Sequence, residues 1–335
     1  MNRKTLYFTA PQQVELREET LPEPGADEVL VETICSAISA GTEMLIFQGH
    51  FPQDIETDAV ISSLRGNLDY PLAYGYACVG KIVETGPQVD PSMRDQLVFA
   101  FQPHTSHFVA NSGSLFPIPD SRSPETACFL PNMETAVNLV QDAAPIVGEC
   151  VLVLGQGVVG LLTASLLSEF PLETLVTADC FELRRNTSPV SQGFSLDPFS
   201  PDFHEESRKL LNGSADLTFE LSGRPETLND ALAITGFSGR IMIGSWYGEK
   251  RAEIDLGGAF HRSRIKLISS QVSTLAPELS GRWNKARRFN TAWRALERVK
   301  PEKWITHRFP IERAGEAYQL LDQNPQETIQ VLITY

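Results

Sequence analysis

Gly155, Gly157 and Gly160 stand in the spacing G-x-G-x-x-G within VLVLGQGVVG, Val151–Gly160. Glycines so spaced carry chemistry in one setting, between a buried strand and the helix that follows it. Both flanks are present. Val151 to Leu154 are four consecutive apolar residues, the mark of a strand buried on both faces, and Leu161–Leu167 continues as an apolar helical run. The first glycine then permits the tight turn, the second lets backbone approach a pyrophosphate, and the third lets the helix pack on the strand. Val158 and Val159 open that helix, where unpaired amides and the helix dipole favour an anion. Nineteen residues beyond Gly160, the strand Thr174–Ala178 ends in Asp179, at the distance of an acid that accepts from ribose hydroxyls. The set predicts a dinucleotide site. Its competitor is an empty fold of the same kind.

Asp179 favours NAD, because a carboxylate repels the 2′-phosphate of NADP. Arg184 and Arg185 weigh the other way, because a guanidinium can grip that phosphate with two hydrogen bonds. Ser222-Gly223, Gly244-Ser245 and Ser270 close later strands, where ligands of doubly wound sheets bind, and join the cofactor set. Trp246, next in line, either reaches the substrate or simply packs.

These residues need a scaffold. The 335 residues suggest two domains, and 42% hydrophobic with 21% charged content is that of a globular enzyme. A net charge of −14 argues against a nucleic-acid partner. No apolar segment follows Arg3 and Lys4 as a secretory signal would require. The apolar run Cys150–Leu167 is cut by three glycines and Gln156, so no membrane span is expected. Five dispersed cysteines, Cys35, Cys78, Cys128, Cys150 and Cys180, read as reduced thiols of a cytoplasmic protein.

From Lys4 to Pro119 short strands at Val14–Arg17, Glu28–Thr33, Val79–Thr85, Leu97–Phe101 and His107–Val109 alternate with Gly and Pro turns, predicting a small barrel. Pro52–Asp69 is a polar insertion, read as a loop with a short helix. Ser123–Ala143 turns helical behind an N-cap serine and a proline. After Val151 come parallel strands at Ala215–Leu221, Arg240–Ser245 and Lys266–Ser270, with a crossover helix at Thr227–Ile234. A helix from Trp283 presents Trp283, Ala286, Phe289, Trp293 and Leu296 on one side. A helix at Ala314–Asp322 and a strand at Ile329–Thr334 end the chain. The fold class is α/β.

In this order the chain resembles the medium-chain dehydrogenase/reductase superfamily of zinc-type alcohol dehydrogenase-like proteins. The likeness is carried by Gly75–Gly80 with Val83–Gly86, Arg94–Val98, Gly155–Gly160 and Asp216–Gly223, and it covers essentially the whole chain. It implies a GroES-like β-barrel catalytic domain over residues 1–130, a Rossmann domain with a doubly wound parallel sheet over 131–271, and a return to the catalytic domain over 272–335. It also implies a homodimer through the edge strand near Lys266–Ser270. Ser36–Gly49 and Trp304–Arg308 are similar to a narrower group that includes bacteriochlorophyllide dehydrogenase, which oxidises a hydroxyethyl group on a tetrapyrrole.

The departures bear on mechanism. The superfamily's first metal-binding cysteine falls at Ala40 in Ala40-Gly41-Thr42-Glu43. Its Gly-His-Glu becomes Gly75-Tyr76-Ala77, and its third ligand falls near Pro131-Asn132. None of these side chains suits zinc. No zinc is therefore expected. Thr42 takes the place of the family's proton-relay hydroxyl, and Tyr76 either serves as acid/base at the substrate oxygen or fills the space of the metal. Glu43 reads as structural, and His104 with His107 as no metal pair. His50 and Asn132 are candidates for the substrate cleft. The run Arg282, Lys285, Arg287, Arg288, Arg294, Arg298 is a solvated helix face or a grip on an anionic substrate.

The expectation is a zinc-independent NAD(P)-dependent oxidoreductase moving a hydride between nicotinamide and a small-molecule secondary alcohol or ketone bound between the domains, with a large tetrapyrrole-like substrate one possibility. An enone or quinone reductase and a non-catalytic cofactor-binding protein are the alternatives.

Overall fold

The computed structural model describes residues 1–52, 69–119 and 122–335. The insertion at Pro52–Asp69 lies, apart from its two end residues, outside them. In chain order the first elements are β1 (Asn2–Ala10), β2 (Gln13–Thr20), β3 (Glu28–Ala37), α1 (Ala40–Gln48), β4 (Leu72–Ala73) and β5 (Cys78–Thr85). Then come β6 (Leu97–Ala100), β7 (His107–Asn111), β8 (Phe116–Pro117), α2 (Pro124–Ala127) and α3 (Leu130–Ala143). The middle of the chain holds β9 (Cys150–Leu154), α4 (Val158–Ser168), β10 (Thr174–Ala178), α5 (Glu182–Thr187), β11 (Ser195–Leu196), α6 (Phe203–Leu210) and β12 (Ala215–Glu220). It continues with α7 (Thr227–Ile234), β13 (Thr235–Ile243), β14 (Lys266–Ser269) and α8 (Lys285–Val299), and ends in β15 (Ile305–Pro310), α9 (Ala314–Gln323) and β16 (Gln330–Thr334).

Met1–Pro131 and Lys300–Tyr335 form one compact unit, and Asn132–Val299 the other. The first unit is built on antiparallel pairing. One sheet runs β2-β1-β4; the other runs β15-β16-β3-β5-β6-β8, with β7 also on β3 and β15/β16 parallel. Strand β3 organises the larger sheet. Val29, Val31, Thr33 and Cys35 turn inward while Glu32 and Ile34 face out, the period of two that a half-buried strand requires. Val29, Val31, Cys78, Ile82, Val98 and Phe108 fill one core. A second core gathers Leu6, Phe8, Ile46, Phe47, Tyr318 and Ile333, with Ala40 and Tyr76 at its margin.

The second unit holds six parallel strands in the order β11-β10-β9-β12-β13-β14. The order reverses between β9 and β12, the switch point of doubly wound sheets. All five residues of β9 are buried, which accounts for its unbroken apolar run. β1, β11 and α6 are elements that no pattern in the sequence marked. β11 has two residues, too few for a periodicity, and α6 (FHEESRKL) is mostly polar.

At the C-terminal end the units divide differently from the expected ranges. The second unit runs on to Val299, so α8 belongs to it and the return begins at Lys300 rather than at residue 272. The buried face of α8 also differs: Phe289, Trp293 and Leu296 are inward, but Ala286 is exposed and Arg288 is fully buried. No helix among the described residues is long and apolar enough to cross a membrane.

Candidate functional site

In the second unit the three glycines meet three different constraints. Gly155 has φ +94°, and a Cβ there would lie 2.5 Å from the Leu221 carbonyl oxygen. A Cβ on Gly160 would lie 1.9 Å from the carbonyl oxygen of Gly155, so helix and turn touch backbone to backbone. Gly157, the N-cap of α4, has nothing within 4 Å of where a Cβ would stand. It leaves the helix N-terminus, with Val158 and Val159 in its first turn, open to a ligand.

Asp179, just past β10, is buried and braces this turn. Its Oδ2 accepts from the amide of Gln156 at 2.7 Å and its Oδ1 from that of Phe181 at 2.9 Å. Arg184 places Nη1 3.9 Å from Oδ2, with its guanidinium over the Phe181 ring. Arg185 is committed elsewhere, to the Asp179 carbonyl oxygen at 2.8 Å and to Asp197 at 3.2 Å.

Beyond β12, the fully buried Glu220 accepts from the Ser222 amide at 2.8 Å, from the Ser222 hydroxyl and from Tyr247 Oη at 2.5 Å. Burial, then the charge of Glu220, pushes the Tyr247 phenol above its usual range. The Gly223 amide donates to Ser245 Oγ at 2.9 Å. Gly244 is held by crowding, since a Cβ would meet Leu139 and Leu221 at 2.6 Å. Trp246 is 40% exposed. Ser270 differs from the rest of the cofactor set: its hydroxyl donates to Asp142 at 2.6 Å and accepts from Asn138 at 2.8 Å. Asn132, at the start of α3, is buried.

The basic run on α8 is neither wholly solvated nor an open anion grip. Arg288 is buried with its Nε 2.9 Å from Glu134 Oε1, and it also donates to Asn138 and to the carbonyls of Val272 and Thr274. Arg287 lies over the Trp283 ring.

In the first unit, Ser39, Thr42 and Tyr76 come together. The Tyr76 hydroxyl bonds with Ser39 Oγ. Burial raises the phenol above its ordinary value and the charge of Glu43 adds to this, while the hydroxyls of Ser39 and Thr42 oppose it. Glu43, fully buried, accepts from the Ser39 amide at 2.8 Å, from His104 Nε2 at 2.9 Å and from Tyr318 Oη. His104 Nδ1 meets Ser36 Oγ at 2.6 Å, so both ring nitrogens are engaged. Gly75 must be glycine: its φ is +130° and a Cβ would press on His104 at 2.9 Å. His50 is exposed just past the left-handed C-cap Gly49 of α1.

The donor set does not fit zinc. In the first unit Ala40 offers a methyl group and Tyr76 a phenol already hydrogen-bonded. Among the described residues no cluster of three His, Cys, Asp or Glu could hold a metal ion. Cys35 and Cys128 have their sulfurs 3.5 Å apart as buried free thiols, and burial pushes Cys78 up to about 12, far from the thiolate a metal needs.

No family model matches the chain. D-guloside 3-dehydrogenase of Escherichia coli K12 is 24% identical over 353 residues, which span 99% of this chain and 100% of that protein. The NADH complex of the alcohol dehydrogenase rspB from E. coli CFT073 superposes with a TM-score of 0.79 at 19% identity, covering 100% of this chain and 99% of the other. A zinc-binding dehydrogenase from Sinorhizobium meliloti 1021 bound to NADP gives 0.75 at 18% identity, with 100% of each chain covered. Over essentially its whole length the chain is similar to the medium-chain dehydrogenases/reductases. These relatives and neighbours support an oxidoreductase enzyme.

In the first unit, sequence reasoning passed over Ser39 and the partners of Glu43. Ser39 carried a usable signal, a serine at a helix start with a carboxylate four residues on. Tyr318 and Tyr335 carried none, since they reach the cluster from far along the chain.

Proposed function

We propose that this protein is a medium-chain dehydrogenase/reductase that interconverts a secondary alcohol and its ketone without zinc, using the hydroxyls of Tyr76 and Thr42 where relatives use a metal. The observation that carries it is the Tyr76 hydroxyl, bonded to Ser39 at a position where no metal-binding side chain stands. When bound, the nicotinamide supplies or accepts the hydride. Tyr76 donates a hydrogen bond and then a proton to the substrate oxygen, and Thr42 assists.

Gly155, Gly157, Gly160, Val158 and Val159 would hold the pyrophosphate. Asp179 would take the ribose and Arg184 the adenine; Ser222, Gly223, Gly244, Ser245 and Ser270 would line the rest. NAD is the proposed cofactor and NADP the alternative. His50, Asn132 and Trp246 are the proposed substrate contacts. The resemblance to a D-guloside dehydrogenase supports a substrate bearing secondary hydroxyls. With Arg288 buried on Glu134, the basic run gives no support to a carboxylated tetrapyrrole. A second copy of the chain is the proposed partner, pairing through β14, an edge strand whose Leu267 is exposed.

The test combines elemental analysis with an NADH-oxidation screen of ketones, enones and quinones, and an NAD-reduction screen of polyols, before and after chelation. Ketone or polyol turnover that survives chelation with substoichiometric zinc supports the reading. One zinc per chain with activity lost on chelation overturns zinc independence. Turnover of enones or quinones alone overturns the substrate class, and tight NADH binding without any turnover overturns catalysis.

A further inference from the structure

A serine at a helix N-cap ordinarily turns its hydroxyl to an amide of the first turn. Ser39 holds the N-cap of α1 and makes no such bond. Its hydroxyl goes to Tyr76 instead. Its own amide donates to Glu43 Oε1 at 2.8 Å, so the carboxylate fixes the backbone of Ser39 without competing for the hydroxyl. Glu43 is held in turn by His104 at 2.9 Å and by Tyr318. His104 is held by Ser36 at 2.6 Å, and Ser36 by Tyr335 at 2.7 Å. Every member of this chain lies in the first unit.

We infer that Ser39 is a positioning residue for Tyr76, a helix cap diverted from capping its helix to aiming a phenolic hydroxyl, with Glu43 as the anchor that holds it. The inference rests on reading Tyr76 as the proton donor. A phenol has one proton. When Ser39 donates to Tyr76 Oη, that proton is left pointing away, toward a substrate oxygen. As it moves from Oη to the substrate, the phenolate keeps the bond from Ser39, which strengthens as charge develops. Ser39 gives up no proton; solvent restores that of Tyr76. Among the described residues, the titratable groups around Tyr76 include Glu43 on α1, Tyr74 edge-on at 6.3 Å, and His104 against Gly75.

The full chain labelled with ¹³C at tyrosine Cζ allows Tyr76 to be followed by NMR, assigned by the signal that Tyr76→Phe removes. Ser39→Ala takes away a bond that favours the phenolate, so the Tyr76 titration should move up by about one pH unit. Ser39→Thr should restore it. The melting temperature of Ser39→Ala should stay close to that of the parent, because no capping bond is lost. An unchanged Tyr76 titration in Ser39→Ala, or a large fall in melting temperature with no shift, overturns the inference. A Tyr76→Phe variant that reduces dihydroxyacetone with NADH as fast as the parent removes the proton-donor reading and leaves the Ser39 titration standing. The two failures are thus distinguishable.

Discussion

Glu43 and His104 meet 2.9 Å apart with neither side chain exposed to solvent. Each satisfies the other inside the core, and Ser39, Tyr318 and Ser36 bond to them as well. Removing one member leaves the other buried and short of one hydrogen-bond partner, at a cost of about 1–3 kcal/mol. Glu43→Ala and His104→Ala should each lower stability by that order in chemical denaturation. A loss within about 0.5 kcal/mol, the range of an ordinary surface change, would contradict the buried network.

Gly157 and Gly160 should respond differently to the same methyl group. At Gly160 it would stand 1.9 Å from a backbone oxygen, so Gly160→Ala should both destabilise the fold and abolish dinucleotide binding. At Gly157 it would meet nothing of the protein, so Gly157→Ala should melt like the parent yet bind NADH at least tenfold more weakly, a loss of about 1.4 kcal/mol. Fluorescence titration alongside thermal melting separates the two. Undiminished NADH affinity in Gly157→Ala would place the ligand elsewhere.

On α8 the contrast lies between neighbours. Arg288→Ala leaves the buried carboxylate of Glu134 with Lys285 alone, 3.0 Å away, and should cost about 1–3 kcal/mol, whereas Arg287→Ala, on the exposed face, should stay within about 0.5 kcal/mol. Equal effects in urea titrations would refute the division.

The phenol of Tyr76 is raised by burial above the usual tyrosine value near 10, so its protonated form persists further into alkali. Ketone reduction needs that proton, and its rate should hold to at least pH 10 before falling on the basic side. A basic limb near pH 8, read from kcat against pH, would exclude Tyr76 as the acid.

Much of the second unit was legible because local signals sufficed. The four apolar residues Val151–Leu154, the glycine spacing and Asp179 lie within thirty residues of one another and map onto β9, α4 and the end of β10. Thr227–Ile234 coincides with α7. The first unit was legible as short strands and turns, but not as a site. Tyr318 and Tyr335 reach the cluster by long-range pairing that no window of sequence contains. Arg288 was misjudged for a related reason: a charge on an amphipathic helix reads as solvent-facing unless its buried partner is known, and Glu134 lies 154 residues away.

Tyr76 is the proposed proton donor, acting without a metal. The direct measurement is kcat for ketone reduction by chelator-treated parent and Tyr76→Phe proteins, with matched melting temperatures. The parent should keep its rate, and the variant should fall by about 10²–10⁴-fold, the contribution of a positioned acid. Equal rates in the two proteins, or a parent silenced by chelation and revived by zinc, would contradict it.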